Sequence, residues 1–266
     1  MRRLIHGETI RLLATRLPRW AALLAVVLGA GMVGLIAAVG PENATPPMPG
    51  LDTPEGVSAV LGLLGVLLFV PALLGTLAMT SEYQHRTVST TFVAVPRRGR
   101  VLAAKLVTYT GLGLSYGVLS AVAAGIALYA ATAAHGTAVG APVGDVIDQL
   151  LRIAVAAAVY TLIGVGIGAI ARHQLLAAAA TVGYFYLVEP LVMLLPGINA
   201  VYALLPGGAT TALTRSTYLV DAVGQQTGTG VPVVGDPWLG GLVLLGYAAT
   251  AAVVALALPV RRDVVG

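Results

Sequence analysis

The chain has no cysteine, a single lysine and little charge of any kind: of 266 residues only 10% are charged and 6% aromatic. Each shortage removes a class of chemistry. Without cysteine there is no disulfide, no thiolate metal ligand and no cysteine nucleophile, and the redox state of the compartment leaves no mark. A P-loop needs a lysine between glycine and Ser or Thr, because backbone amides cradle the phosphates while the lysine reaches them. The only lysine, Lys105, lies between Ala104 and Leu106. ATP hydrolysis by this chain is therefore not expected. The four histidines (His6, His85, His135, His173) are scattered without paired spacing, which gives no ligand pattern for a catalytic metal. No cofactor is expected on this chain.

What the sequence does have is apolar length. Hydrophobic residues make up 58% of it, concentrated in six stretches at about 20–40, 57–80, 106–134, 150–171, 175–195 and 237–260. Roughly 20 apolar residues in a helix cross a hydrocarbon core about 30 Å thick. All six reach that length, and the longer ones must tilt or project. The first stretch, with its basic flank, superficially resembles a signal peptide. Its apolar run is too long, however, and no small-x-small cleavage site follows, so an uncleaved helix is expected.

The charges orient the spans. All basic residues but Arg152 and Arg215 fall at the start, in the second and fourth gaps, and at the end of the chain. The other gaps hold most of the acids: Glu42, Asp52, Glu55, Asp145, Asp148, Asp221 and Asp236. Positive loops stay in the cytoplasm, so the expectation is a plasma-membrane protein with both termini cytoplasmic. The net charge of +4 then fits lipid headgroups rather than nucleic acid.

Along the chain, residues 2–18 read as a helix on the cytoplasmic surface. His6, Ile10, Leu13 and Leu17 form one stripe, with Glu8, Arg11, Thr15 and Arg19 opposite. The segment (1–19) is either a basic flank that orients the first span or an interfacial helix buttressing the bundle. Five prolines stiffen the loop at 41–56, and Pro71 should kink the second span. Gly113 with Gly117, and Gly164 with Gly168, have the GxxxG spacing that lets helices approach closely in lipid. The segment 196–236 reads either as short re-entrant helical pieces or as an ordinary outer loop.

Two features in the spans bear on chemistry. Gly113-Leu114-Ser115-Tyr116-Gly117 has the spacing of a hydrolase nucleophile elbow, which needs a strand before the serine and a helix after it. Here it lies inside a span, so a hydrolase is not expected. Glu189 is the one acid well inside a span, just before Pro190. An ionisable group there is a functional candidate: it could meet a cationic substrate, relay protons or pair with Arg152 or Arg215. It could equally hydrogen-bond locally around the proline. Tyr184, Tyr186 and Tyr202 nearby read as interfacial anchors.

The most informative polar stretch is 81–105, S-E-Y-Q-H-R-T-V-S-T-T-F-V-A-V-P-R-R-G-R-V-L-A-A-K. It holds a short polar helix, then Pro96, which disfavours helix at Val95, then a basic knot entering the third span. The order of Glu82, Thr87, Pro96, Arg98 and Lys105 resembles the segment between the second and third spans of ABC-2 type transporter permeases, notably of the actinobacterial type. Many relatives have glycine before the threonine; this chain has Arg86. The resemblance extends to the whole architecture: an all-α integral membrane fold of six spans, a cytoplasmic N-terminal interfacial helix, and short re-entrant helices before the last span, forming one transmembrane domain over 1–266.

This resemblance implies the membrane subunit of an ABC exporter, itself non-catalytic. It would pair with a second six-helix permease, identical or related. A separate ATP-binding subunit, carrying the ATP and Mg, would dock on its cytoplasmic face. Glu82, Tyr83, Arg86, Thr87 and Thr90 would form the coupling helix. Pro96, Arg97, Arg98, Arg100 and Lys105 would anchor the hinge at the lipid headgroups. The apolar bundle suggests a hydrophobic or amphipathic cargo. A proton-coupled secondary transporter using Glu189, and a non-transporting immunity or scaffold protein, are the alternatives.

Overall fold

The apolar stretches fold into long helices, as a bilayer demands of any backbone that crosses it. The computed structural model of the protein describes residues 1–84, 98–171 and 173–261. Among them there is helix and no strand. In chain order the α-helices are α1 (Arg2–Leu13), α2 (Leu17–Val39), α3 (Pro54–Gly62), α4 (Phe69–Gln84), α5 (Arg98–Ala134), α6 (Val143–Ala171), α7 (Gln174–Gly183), α8 (Glu189–Leu194), α9 (Pro206–Thr214), α10 (Tyr218–Thr227) and α11 (Pro237–Arg261). Six helical segments are long and apolar enough to span a membrane: Leu17–Val39, Pro54–Ser81, Arg100–Ala134, Val143–Ala171, Gln174–Leu194 and Pro237–Leu256. The chain is a multi-pass membrane protein with an all-helical fold.

Two spans are interrupted where proline dictates. A proline has no N–H for the carbonyl four residues back and its ring crowds that carbonyl. In the second span α3 and α4 are joined by a 3₁₀ stretch, Leu63–Leu68, just before Pro71. In the fifth, α7 and α8 are joined by a π-turn, Tyr184–Val188, just before Pro190.

The fourth span, α6, is the hub. It packs against α4, α5, α9 and α11, and 78% of its most apolar window is buried, against 17% for the fifth span and 22% for the first and the sixth. Glycine makes the close approaches possible. A methyl group on Gly164 would strike the Ala72 carbonyl, and one on Gly117 would strike Ala154. Both GxxxG pairs thus form packing faces within this chain, on α4 and α6 respectively. Hydroxyls add interhelical bonds at the same level. Thr76, fully buried, meets the Gly164 carbonyl at 3.0 Å and the Thr181 hydroxyl at 3.0 Å, tying the second, fourth and fifth spans together.

The N-terminal helix differs from the sequence expectation in length. It stops at Leu13 rather than running through residue 18, because Pro18 has no N–H for the carbonyl four residues back and its ring crowds that carbonyl; the next helix takes Pro18 in its first turn. Ile10 and Leu13 are exposed, while Leu12 packs on the core and the Glu8 side chain, with a relative exposure of 14%, turns toward α5.

Candidate functional site

The connection between the second and third spans begins as a continuation of α4 to Gln84 and ends where α5 starts at Arg98. Of its candidate residues, Arg86, Thr87, Thr90, Pro96 and Arg97 lie outside the described residues, as do the side chains of Glu82, Tyr83 and Arg98. Arg100 is exposed on the first turns of α5, as an anchor to headgroups requires. Lys105 is not so placed. It is 5% exposed, and its Nζ donates to Glu8 Oε2 at 2.8 Å. It ties α1 to the start of the third span. The physical reason is local: burial of an ammonium calls for a paired carboxylate, and Glu8 is presented by the bundle-facing side of α1. Beside this pair a cavity of about 440 Å³ opens between α1, α4 and α5, lined by Glu8, Arg11, Leu12, Leu77, Tyr109 and Gln174 among others.

The opposite end of the bundle carries the second cluster. Residues 196–236, read in the sequence as short re-entrant helical pieces or an ordinary outer loop, form a 3₁₀ turn (Asn199–Leu204), α9 and α10. α9 is enclosed, with Pro206, Gly208, Ala209, Thr210, Ala212 and Thr214 buried, and it packs on α11 and α6. No side chain of its own caps its first turn. Glu189 does so from the fifth span: the Gly207 N–H donates to its Oε1 at 3.2 Å. At the other end of α9, Arg152 of the fourth span donates from Nη1 to the Leu213 carbonyl at 3.1 Å, while its Nε is held by Asp148 at 2.7 Å. A carboxylate at the N-terminus and a guanidinium at the C-terminus both complement the helix dipole. Between them the Tyr160 hydroxyl meets the Thr210 hydroxyl at 3.1 Å. A nine-residue helix is thus gripped at both ends and in the middle by two spans.

Glu189 is 6% exposed. It pairs with neither Arg152 nor Arg215. Its bond to Gly207 reaches 18 residues along the chain rather than staying local to Pro190. Its titratable neighbours are phenols: Tyr160 from α6, Tyr184 from the π-turn, Tyr202 from the 3₁₀ turn and Tyr247 from α11. The Tyr202 hydroxyl lies beside Gly207, the residue whose N–H the carboxylate accepts. Burial, with the Glu189 charge second, pushes the Tyr202 phenol up to about 12, so it stays a proton donor at neutral pH. Of the three tyrosines read as interfacial anchors, Tyr186 is exposed as expected, but Tyr184 is half-buried and Tyr202 is buried. Those two face the acid.

Sequence reading singled out Glu189 as an acid inside a span and Lys105 as a hinge anchor, and identified the partner of neither. Glu8 lies 97 residues from Lys105, and Gly207 contributes only a backbone N–H, which leaves no trace in residue type. The Asp148–Arg152 spacing of four on one helix face was legible, though not its use against Leu213. Among the described residues no three His, Cys, Asp or Glu come together as a metal site. No protein-family model matches the chain, and no curated protein matches it.

Proposed function

We propose that this chain is the membrane subunit of an ATP-driven ABC-2 type exporter. One observation carries the reading: the ordered run of Glu82, Thr87, Pro96, Arg98 and Lys105 in the connection between the second and third of six spans. The absence of a P-loop is compatible with it, since ATP and Mg would be held by a separate ATPase subunit. In this reading the basic end of the bundle is cytoplasmic and the membrane is the plasma membrane. A second six-helix permease completes the pathway, and a hydrophobic or amphipathic cargo leaves between the two. Force from the ATPase enters at Glu82, Tyr83, Arg86, Thr87 and Thr90. Pro96, Arg97, Arg98 and Arg100 keep the connection at the headgroups. Lys105, through Glu8, passes displacement of the third span to α1, so that two elements move with one push.

The test is a pull-down of the tagged chain in nanodiscs from its host, beside the Glu82→Ala/Thr87→Ala variant. Recovery of a P-loop ATPase with the parent and its loss with the variant is the expected result. Recovery of none, under conditions that keep a known transporter complex together, sinks the reading. A second reading, proton-coupled secondary transport, is favoured by the buried acid Glu189. It predicts substrate flux that follows a proton gradient and survives ATP depletion.

A further inference from the structure

Glu189 is buried, and polar surface next to it leads toward the acidic end of the bundle. At the acidic end a vestibule of about 380 Å³ opens between the 41–56 loop, α3 and the start of α10, with Glu55, Arg215, Thr217 and Asp221 on its walls. Below it lies a smaller cavity of about 60 Å³. The two share Ala59, Ser216 and Tyr218 as lining residues, so they adjoin. The inner cavity is walled by hydroxyls, those of Tyr160, Thr210, Thr211, Thr214 and Ser216, and by Gly207. A cavity of this size has room for water, and its lining offers the two to four partners a water needs.

Gly207 is the meeting point. Its N–H is bonded to Glu189, and a methyl group added to it would touch both the Glu189 carboxylate and the Tyr202 hydroxyl, the latter at 3.1 Å. Thr211, on the cavity wall, bonds through its hydroxyl to the Gly207 carbonyl at 3.1 Å and neighbours the Tyr202 hydroxyl. Thr211 and Tyr202 thus place hydroxyls around Gly207, between the cavity and the Glu189 carboxylate. The groups facing that carboxylate from the four elements around it are the phenols of Tyr160, Tyr184, Tyr202 and Tyr247. None is a cation that would hold it permanently ionised. The Gly207 donor on one of its oxygens suits a proton on the other better than a metal ion, which wants oxygen acceptors throughout.

We infer that Glu189 is a proton-binding site reached from the acidic end of the bundle through this vestibule and hydroxyl-lined cavity. In the exchange, hydronium in the cavity gives its proton to the carboxylate and leaves as water, and the reverse step restores the anion. The inference stands independently of the exporter reading.

The cysteine-free sequence allows a direct test in nanodiscs, where both faces of the membrane are open to reagent and the sidedness of the bundle does not enter. Ser216→Cys samples the mouth, Thr211→Cys the inner cavity, and Thr181→Cys a fully buried hydroxyl in the core. A charged, water-soluble methanethiosulfonate reagent should label the first two at least about tenfold faster than the third, since a thiol reacts as its hydrated thiolate. In the unmodified chain, a water-soluble carbodiimide with methylamine should convert Glu189 to its methylamide, releasing a urea, as read by peptide mass spectrometry. Thr211→Leu should abolish that conversion while leaving Glu55 and Asp221, at the mouth, fully reactive. Labelling at Ser216→Cys with Thr211→Cys and Glu189 silent means that the vestibule is closed above the acid, and overturns the inference. Conversion of Glu189 undiminished by Thr211→Leu also overturns it, because the reagent then arrives by another route.

Discussion

Two acids of this chain lie in protected positions at opposite ends of the bundle, and they are answered in different ways. Glu8 meets an ammonium, Lys105, at 2.8 Å. Glu189 meets a backbone amide and a ring of phenols. The first pair joins two helices by a full charge on each side, so removing either member breaks an ion pair between them. The second arrangement leaves the charge of Glu189 answered only by dipoles, so the group can lose or gain a proton without breaking a salt bridge. The comparison teaches that protection alone does not distinguish a fastener from a site: the partner does.

The contrast can be broken first at Glu8. Glu8→Ala removes the carboxylate that the Lys105 ammonium meets at 2.8 Å and should cost about 3 kcal/mol, read as a lowered midpoint in detergent or SDS unfolding. Glu8→Leu combined with Lys105→Met should recover most of that loss, because apolar residues of similar size need no partner. If the double variant is as unstable as the single, the pair is not the fastener. Glu189→Ala comes next. It removes the cap of α9 and should cost about 1 kcal/mol, read as faster hydrogen exchange at Gly207 and the first turn of α9 with little change elsewhere. Arg152→Leu should loosen the other end of α9 by a few tenths to about 1 kcal/mol, read at residues 212–216. Glu189→Gln retains a carbonyl acceptor for the Gly207 N–H, and should leave the unfolding midpoint within about 0.5 kcal/mol of the parent while removing pH-dependent behaviour traced to the acid. A large loss of stability in Glu189→Gln would show that charge, not hydrogen bonding, holds α9, and would make the two acids alike.

The reading of the sequence succeeded where a single helix settles the outcome. Apolar length alone located all six spans. Pro71 and Pro190 marked the irregular turns, and the two GxxxG pairs marked close packing. It did not reach the orientation of α1. The two stripes were assigned to no side, and the structure turns Ile10 and Leu13 outward and Glu8 in. It failed at Tyr184 and Tyr202, taken as anchors because tyrosine collects at interfaces, but drawn toward the one acid whose surroundings offer no cation.

The sequence by itself determined that the chain is helical, that it crosses the membrane six times, and that its basic and acidic loops alternate. Those properties follow from the cost of burying backbone and charge in hydrocarbon, which each segment meets on its own. Only the tertiary structure decided that the fourth span is the hub, that Lys105 is matched to Glu8, and that Glu189 caps a short helix beside a hydroxyl-lined cavity. Those choices rest on contacts between residues far apart in the chain, one of them a backbone N–H that every residue except proline possesses, and no pattern of residue types encodes such a partner.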